Sequence, residues 1–201
     1  MKQSMNFAAE LVPITYASAL IELAAELGVP RDELLQTARI KPQVLEAPNG
    51  RLSFIDFNQL AGAALSRCNE PALGLVLGQR LNVSSHGILG YAVLSSATLD
   101  QAIQFALKYY RVLGLAFELE QLESDERVEL RASEAMPLGP MSRFAAEGLL
   151  CSLHSIAQFL LGERMQGIEV GFAYPAPLYA ERYHEVFGPN AATFADLASA
   201  D

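Results

Sequence analysis

The side chains with the widest chemical reach are three histidines, His86, His154 and His184, and two cysteines, Cys68 and Cys151. Cys151 and His154 stand three residues apart on a helical pattern and could share a metal with His184. A structural zinc site asks for two clustered ligand pairs, and only this loose pair occurs, so no metal site is expected. The chain holds no G-x-S-x-G elbow, no phosphate-cradling Walker loop, no G-x-G-x-x-G after a strand and no H-E-x-x-H. Its carboxylates fall mostly on faces that the patterning makes wet, so none is singled out for acid–base work. No catalytic residue is assigned, and the chain is not expected to be an enzyme. What remains is a set of amphipathic side chains beside a large apolar interior: Tyr91, Tyr109, Tyr110, Arg111, Arg143 and His154. Small-molecule sites have that make-up, a few polar anchors in an apolar pocket. These six are the candidate ligand-binding residues, with Tyr109, Tyr110 and Arg111 ranked first.

Positioning them falls to residues 86–111, which read as two helices meeting at a capped corner. Thr98 and Gln101 are spaced as an N-cap and its reciprocal partner, and Asp100 suits the helix dipole. Gly87 and Gly90 bracket a charge-free apolar run, expected to be buried and closely approached by another backbone. Everything before this corner reads as helix. One helix runs from Thr15, a candidate N-cap, to about Gly28, and a short one spans Arg31 to about Ala38. A third opens at Ser53, with Asp56 as reciprocal cap. A fourth carries Gly74 and Gly78 four residues apart, which argues for close contact with another element, because each glycine costs up to ~1 kcal/mol against alanine in a helix.

After Gly114 the apolar period changes from 3.6 to 2. Leu115, Phe117 and Leu119, then Val128, Leu130 and Ala132, alternate with charges around a turn at Glu123, Ser124 and Asp125. That is an antiparallel hairpin with one wet face. Glu118 and Glu120 face Arg127 and Arg131 across it. The longest helix, from Met141 to about Leu161, has a stripe of Leu149, Leu153, Ile156 and Leu160. A second face of small residues, Ala145, Gly148, Ser152 and Ser155, is expected to pack on the sheet or on the same helix of a partner. A strand around Val170, a short helix with Tyr179, Tyr183 and Phe187, and a strand near Ala192 complete the order. The fold class is α+β: N-terminal helices packed on a small antiparallel β-sheet, with a long helix inserted between strands. Residues 1–14 read as a tail and 15–201 as a single sensor or dimerisation domain, its pocket between the helices and the sheet.

The chain has 201 residues, 51% hydrophobic and 18% charged, with a net charge of −9. Such a chain folds without disulfides or metals. The two cysteines read as buried free thiols in a reducing compartment. Glu10 and Pro13 interrupt the N-terminal apolar stretch, so no signal peptide is expected. No apolar run is read as approaching the ~20 residues of a membrane span, so the expected location is the cytoplasm, with no membrane partner. The acidic balance and the scattered arginines argue against a grip on DNA by this part.

The motif H-G-I-L-G-Y-A-V-L-S-S-A-T-L-D-Q-A-I at residues 86–103 resembles the signature region of the N-terminal effector-sensing domain, of the type labelled arabinose-binding, of AraC-type bacterial transcription regulators. Other segments agree in order. They are Gly28-Val29-Pro30, Arg51-Leu52-Ser53, Leu73-Gly74-Leu75, and Pro177, Tyr179, Tyr183, Phe187 and Gly188 followed by Phe194. The resemblance covers about residues 14–201. It implies a small-molecule effector, self-association as a homodimer, and DNA contact through a C-terminal helix-turn-helix unit absent from this chain. The chain thus looks like a sensor cut from a longer regulator. Alternatively, it is a dimerisation module with no ligand. The element order is also similar to haem-based nitric-oxide sensors, but the Y-x-S-x-R motif of that fold is missing, and no cofactor is expected.

Overall fold

The structure is a computed structural model that describes residues 10–47, 50–110, 116–124, 127–162, 165 and 167–195. The first strand, β1 (Glu10–Pro13), lies in the stretch read as a tail and pairs antiparallel with β2 (Arg51–Ser53). The pairing buries Val12 and Leu52. A four-residue strand carries too little pattern to be told from a tail. Pro13 then caps α1 (Ile14–Glu26). Thr15 is inside the helix, not its cap, because its hydroxyl donates to the Ser85 carbonyl at 2.7 Å. Gly28, at φ +88°, supplies the left-handed turn that stops the chain after α1. The next helix, α2, covers Arg31–Ala38 as expected. The Ser53 hydroxyl accepts from the Asp56 amide at 3.0 Å and opens α3 (Phe54–Arg67).

These helices and α4 (Leu73–Arg80) share the main core, built on Leu20, Leu23, Leu34, Leu35, Leu52, Leu60 and Leu73. Two further helices follow, α5 (Ile88–Leu94) and α6 (Leu99–Tyr110). At the corner between them the Thr98 hydroxyl accepts from the Gln101 amide at 3.2 Å. The Gln101 side chain reaches back to the Ala97 amide at 3.0 Å. The run from Gly87 to Thr98 is not buried throughout: Leu89, Gly90 and Val93 face inward, whereas Ile88, Tyr91 and Leu94 face solvent. A helix of seven residues has one inner face, so a wholly apolar sequence leaves apolar side chains outside. Gly90 is closely approached, since a Cβ there would meet the Val83 carbonyl.

The hairpin is β3 (Phe117–Glu123) and β4 (Val128–Glu134), with Glu120 opposite Arg131 and Phe117 opposite Glu134. Arg131 pairs with Glu120 at 3.8 Å and with Glu129 at 2.9 Å. Burial is confined to the Phe117 end, and Val128 and Leu130 are exposed. The long helix α7 (Ser142–Leu161) runs along α4. Its small residues Gly148 and Ser152 meet Gly78, so the small-residue face packs on a helix of the same chain. By length and composition Gly139–Leu161 could cross a membrane, which corrects the reading that no such run occurs. In the fold its Phe144, Glu147, Gly148, Cys151 and Ser152 are buried against other elements. Finally, β5 (Val170–Phe172) and β6 (Ala192–Phe194) pair parallel, with α8 (Glu181–Phe187) between them. The class is α+β, and the described residues form three separate two-stranded ribbons, one of them parallel, instead of a single sheet. Cys68 and Cys151 are buried free thiols.

Candidate functional site

Among the described residues two buried polar clusters flank α7, one at its seam with α1 and one under α8. At the seam, Tyr16 of α1 meets His86, the last residue of a short 3-10 turn, and Ser152 of α7. The Tyr16 hydroxyl is 2.5 Å from His86 Nδ1, and His86 Nε2 is 3.1 Å from Ser152 Oγ. Ser152 Oγ donates to the Leu81 carbonyl at 3.1 Å. Because that bond uses the serine proton, Ser152 accepts from Nε2–H, which leaves Nδ1 to accept from Tyr16. The network thereby assigns the neutral Nε2–H tautomer. Burial pushes the His86 pKa down to about 4, partly opposed by its backbone bond to Leu81. Burial also raises the Tyr16 pKa, opposed by Arg51.

Tyr110 reaches the same seam from the last turn of α6. Its ring clusters with Ala116, Phe117 and Leu138, and Phe54, Met141 and Leu149 pack against them. It is 5% exposed, yet its hydroxyl has no hydrogen-bond partner among the described residues. Burial, and then the neighbouring Tyr16, raise its pKa and keep it protonated. Buried hydroxyls are normally satisfied, and one left unpaired costs about 1–3 kcal/mol.

The second cluster centres on Glu147, 1% exposed. Its carboxylate accepts from Tyr179 at 2.7 Å, from Tyr183 and from the Leu75 amide at the start of α4. Burial raises its pKa, opposed by these bonds and by Arg143. Tyr174 bonds Tyr183 at 3.1 Å, and Arg143 lies 5.3 Å from the centre of the Tyr174 ring. Aromatic rings Phe172, Tyr183, Phe187 and Phe194 stack around this carboxylate cluster and join α8 to the β5–β6 ribbon.

The four candidates whose side chains the structure describes therefore do not converge. Tyr110 is at the seam. Arg143 belongs to the Glu147 cluster. His154 stands edge-on to Phe187, 5.0 Å between centroids, at an open groove of about 600 Å³ that also involves Gln158, Glu169, Glu185 and Asn190. Tyr91 is exposed on α5. Arg111 and the side chain of Tyr109 lie outside the described residues. Sequence reasoning missed Tyr16, His86, Ser152 and Glu147 as partners. Tyr16 and His86 are 70 residues apart, and no local spacing announces them. Glu147 did leave a signal, being the lone carboxylate of the long helix and standing beside Gly148.

The chain belongs to the family of the arabinose-binding, N-terminal domain of AraC transcription regulators, whose model matches residues 28–197. It is similar to the ornithine utilization regulator of Pseudomonas aeruginosa, 68% identical over 188 residues, covering 94% of this chain and 56% of that protein. It is also similar to uncharacterized HTH-type transcriptional regulators of Mycobacterium bovis and Mycobacterium tuberculosis. Each is 29% identical over 124 residues, covering 60% of this chain and 36% of the relative. The chain thus spans little more than half the length of the Pseudomonas relative and about a third of the mycobacterial ones. Its kin are transcription regulators, not enzymes.

Proposed function

We propose that this chain is the effector-sensing domain of an AraC-type regulator, binding a small, mostly apolar or amphipathic effector and controlling a separate DNA-binding domain. The observation that carries the ligand-binding role is the unpartnered Tyr110 hydroxyl in an apolar seam. The name of the 68% relative points to ornithine utilization, so the first effector candidate is L-ornithine, whose methylene chain is flanked by polar ends. A net charge of −9 favours such a cation. The ligand acts by binding one of two domain states more tightly than the other. A regulator that reaches DNA through such a domain works in the cytoplasm, the location proposed for it.

A thermal-shift panel of amino acids, diamines, fatty acids, sugars and nucleotides tests this reading. A ligand at 100 times its Kd adds about 2.7 kcal/mol, or roughly 5–10 °C for a domain of this size. The reading fails if no member raises the melting temperature.

A second role is homodimerisation, favoured by the apolar side chains turned to solvent, Ile88, Tyr91, Leu94 and Phe159. Sedimentation at rising concentration checks it, and a strict monomer removes it.

A further inference from the structure

We infer that the seam between α1, α6 and α7 is the effector site, that the Tyr110 and Tyr16 hydroxyls are its paired anchors, and that its ligand is an amino acid presenting a carboxylate and an ammonium side by side. This rests on the sensing role proposed above. Tyr110 and Tyr16 come from helices far apart in sequence, and the two clusters that hold them share Phe54 and Met141. Their hydrogen-bonding states are complementary. The Tyr16 proton is committed to His86 Nδ1, so the free capacity of Tyr16 is its oxygen, an acceptor. The Tyr110 hydroxyl is committed to nothing, and burial keeps it a donor. A carboxylate accepts from Tyr110 while the adjacent ammonium donates to Tyr16. Phe54, Met141 and Leu149 around Tyr110 suit the methylene groups of the ligand, and the terminal ammonium of L-ornithine must reach past them to water or a polar group.

The anchors also connect to the surface that a regulator would use. His86 stands directly before α5, and its ring is held by Tyr16 on one side and Ser152 on the other. A ligand drawing on the Tyr16 oxygen therefore acts on the bond that holds the root of α5, whose outer face is apolar.

Equilibrium dialysis with radiolabelled L-ornithine against the 201-residue chain and its Tyr110→Phe and Tyr91→Phe variants tests this. The expected result is saturable binding by the parent, weakened roughly tenfold or more by Tyr110→Phe, the loss of one hydrogen bond to a charged group. Tyr110→Phe should melt at or above the parent, because an unpaired buried hydroxyl is removed, and Tyr91→Phe should bind as the parent does. Putrescine, which lacks the carboxylate, should bind at least tenfold more weakly than L-ornithine. Unchanged affinity in Tyr110→Phe, a marked drop in its melting temperature, or equal binding of putrescine overturns the site while leaving the sensing role intact. A parent chain that binds no amino acid overturns the site, and one that also binds no other member of the thermal-shift panel overturns both.

Discussion

Replacing Gly78 by alanine tests the contact on which the helical half is built. A Cβ at Gly78 would lie 2.6 Å from Cys151 Cβ, 2.8 Å from the Gly148 carbonyl and 3.2 Å from the Ser152 amide nitrogen. Ordinary contact begins at 3.4 Å, so α4 and α7 must part by at least 0.6 Å to clear that carbonyl. The obstacles are backbone atoms and a Cβ, which cannot rotate away. Overpacking of this kind costs about 1–3 kcal/mol, and a backbone obstacle belongs at the upper end. Alanine returns up to ~1 kcal/mol of helix propensity, so the net loss is about 2 kcal/mol. For a domain of this size that lowers the melting temperature by about 4–8 °C. Gly62, inside α3, is the control: no atom lies within 4 Å of its Cβ position. Gly62→Ala should gain up to ~1 kcal/mol and about 2–4 °C. Circular dichroism at 222 nm against temperature reads both. If Gly78→Ala melts at or above the parent, in step with Gly62→Ala, the close α4–α7 approach is wrong.

Other perturbations have equally definite signs. His86 is held neutral with a pKa of about 4 against an ordinary 6.5, so the folded form binds fewer protons between those values. The stability it contributes is whole above about pH 6.5 and lost as pH falls towards 4, on the order of 3 kcal/mol at most. Urea midpoints of His86→Leu should fall less steeply over that window than the parent's, and an unchanged slope contradicts the buried-histidine account. Glu147 has the opposite sign, because its folded pKa is raised. Its contribution is greatest below pH 4.5 and declines as pH rises through the folded value, so the stability of the parent relative to Glu147→Gln should shrink with rising pH. A gap that widens instead would mean that the tyrosine bonds outweigh burial. Ser53→Ala removes the α3 cap and should cost about 1 kcal/mol, a 2–4 °C lower melting temperature, and no change argues against the cap.

Local chemistry made much of the fold legible in the sequence. Gly28 ends α1 and Pro30 starts α2, Ser53 and Asp56 start α3, and the change of period after Gly114 marks the hairpin. Gly74 and Gly78 announced a close contact, although nothing in the sequence said that α7 supplies it. The pairing of β1 was hidden because a strand of four residues has no period to speak of. The burial expected for residues 87–98 failed at Ile88, Tyr91 and Leu94, since apolar character does not say which side of a short helix faces the core. Of the candidate ligand residues, Tyr110 reached the seam because it closes the inner stripe of α6. Its neighbours Tyr16, His86 and Ser152 come from three distant segments, and only tertiary packing brings them together.

The most direct measurement is nuclear magnetic resonance of the seven tyrosine rings, isotopically labelled, during titration with L-ornithine. An effector domain with its site at the seam predicts saturable shifts at Tyr16 and Tyr110 and none at the exposed Tyr91. Resonances that stay fixed throughout, or that move only at Tyr174, Tyr179 and Tyr183, would contradict it.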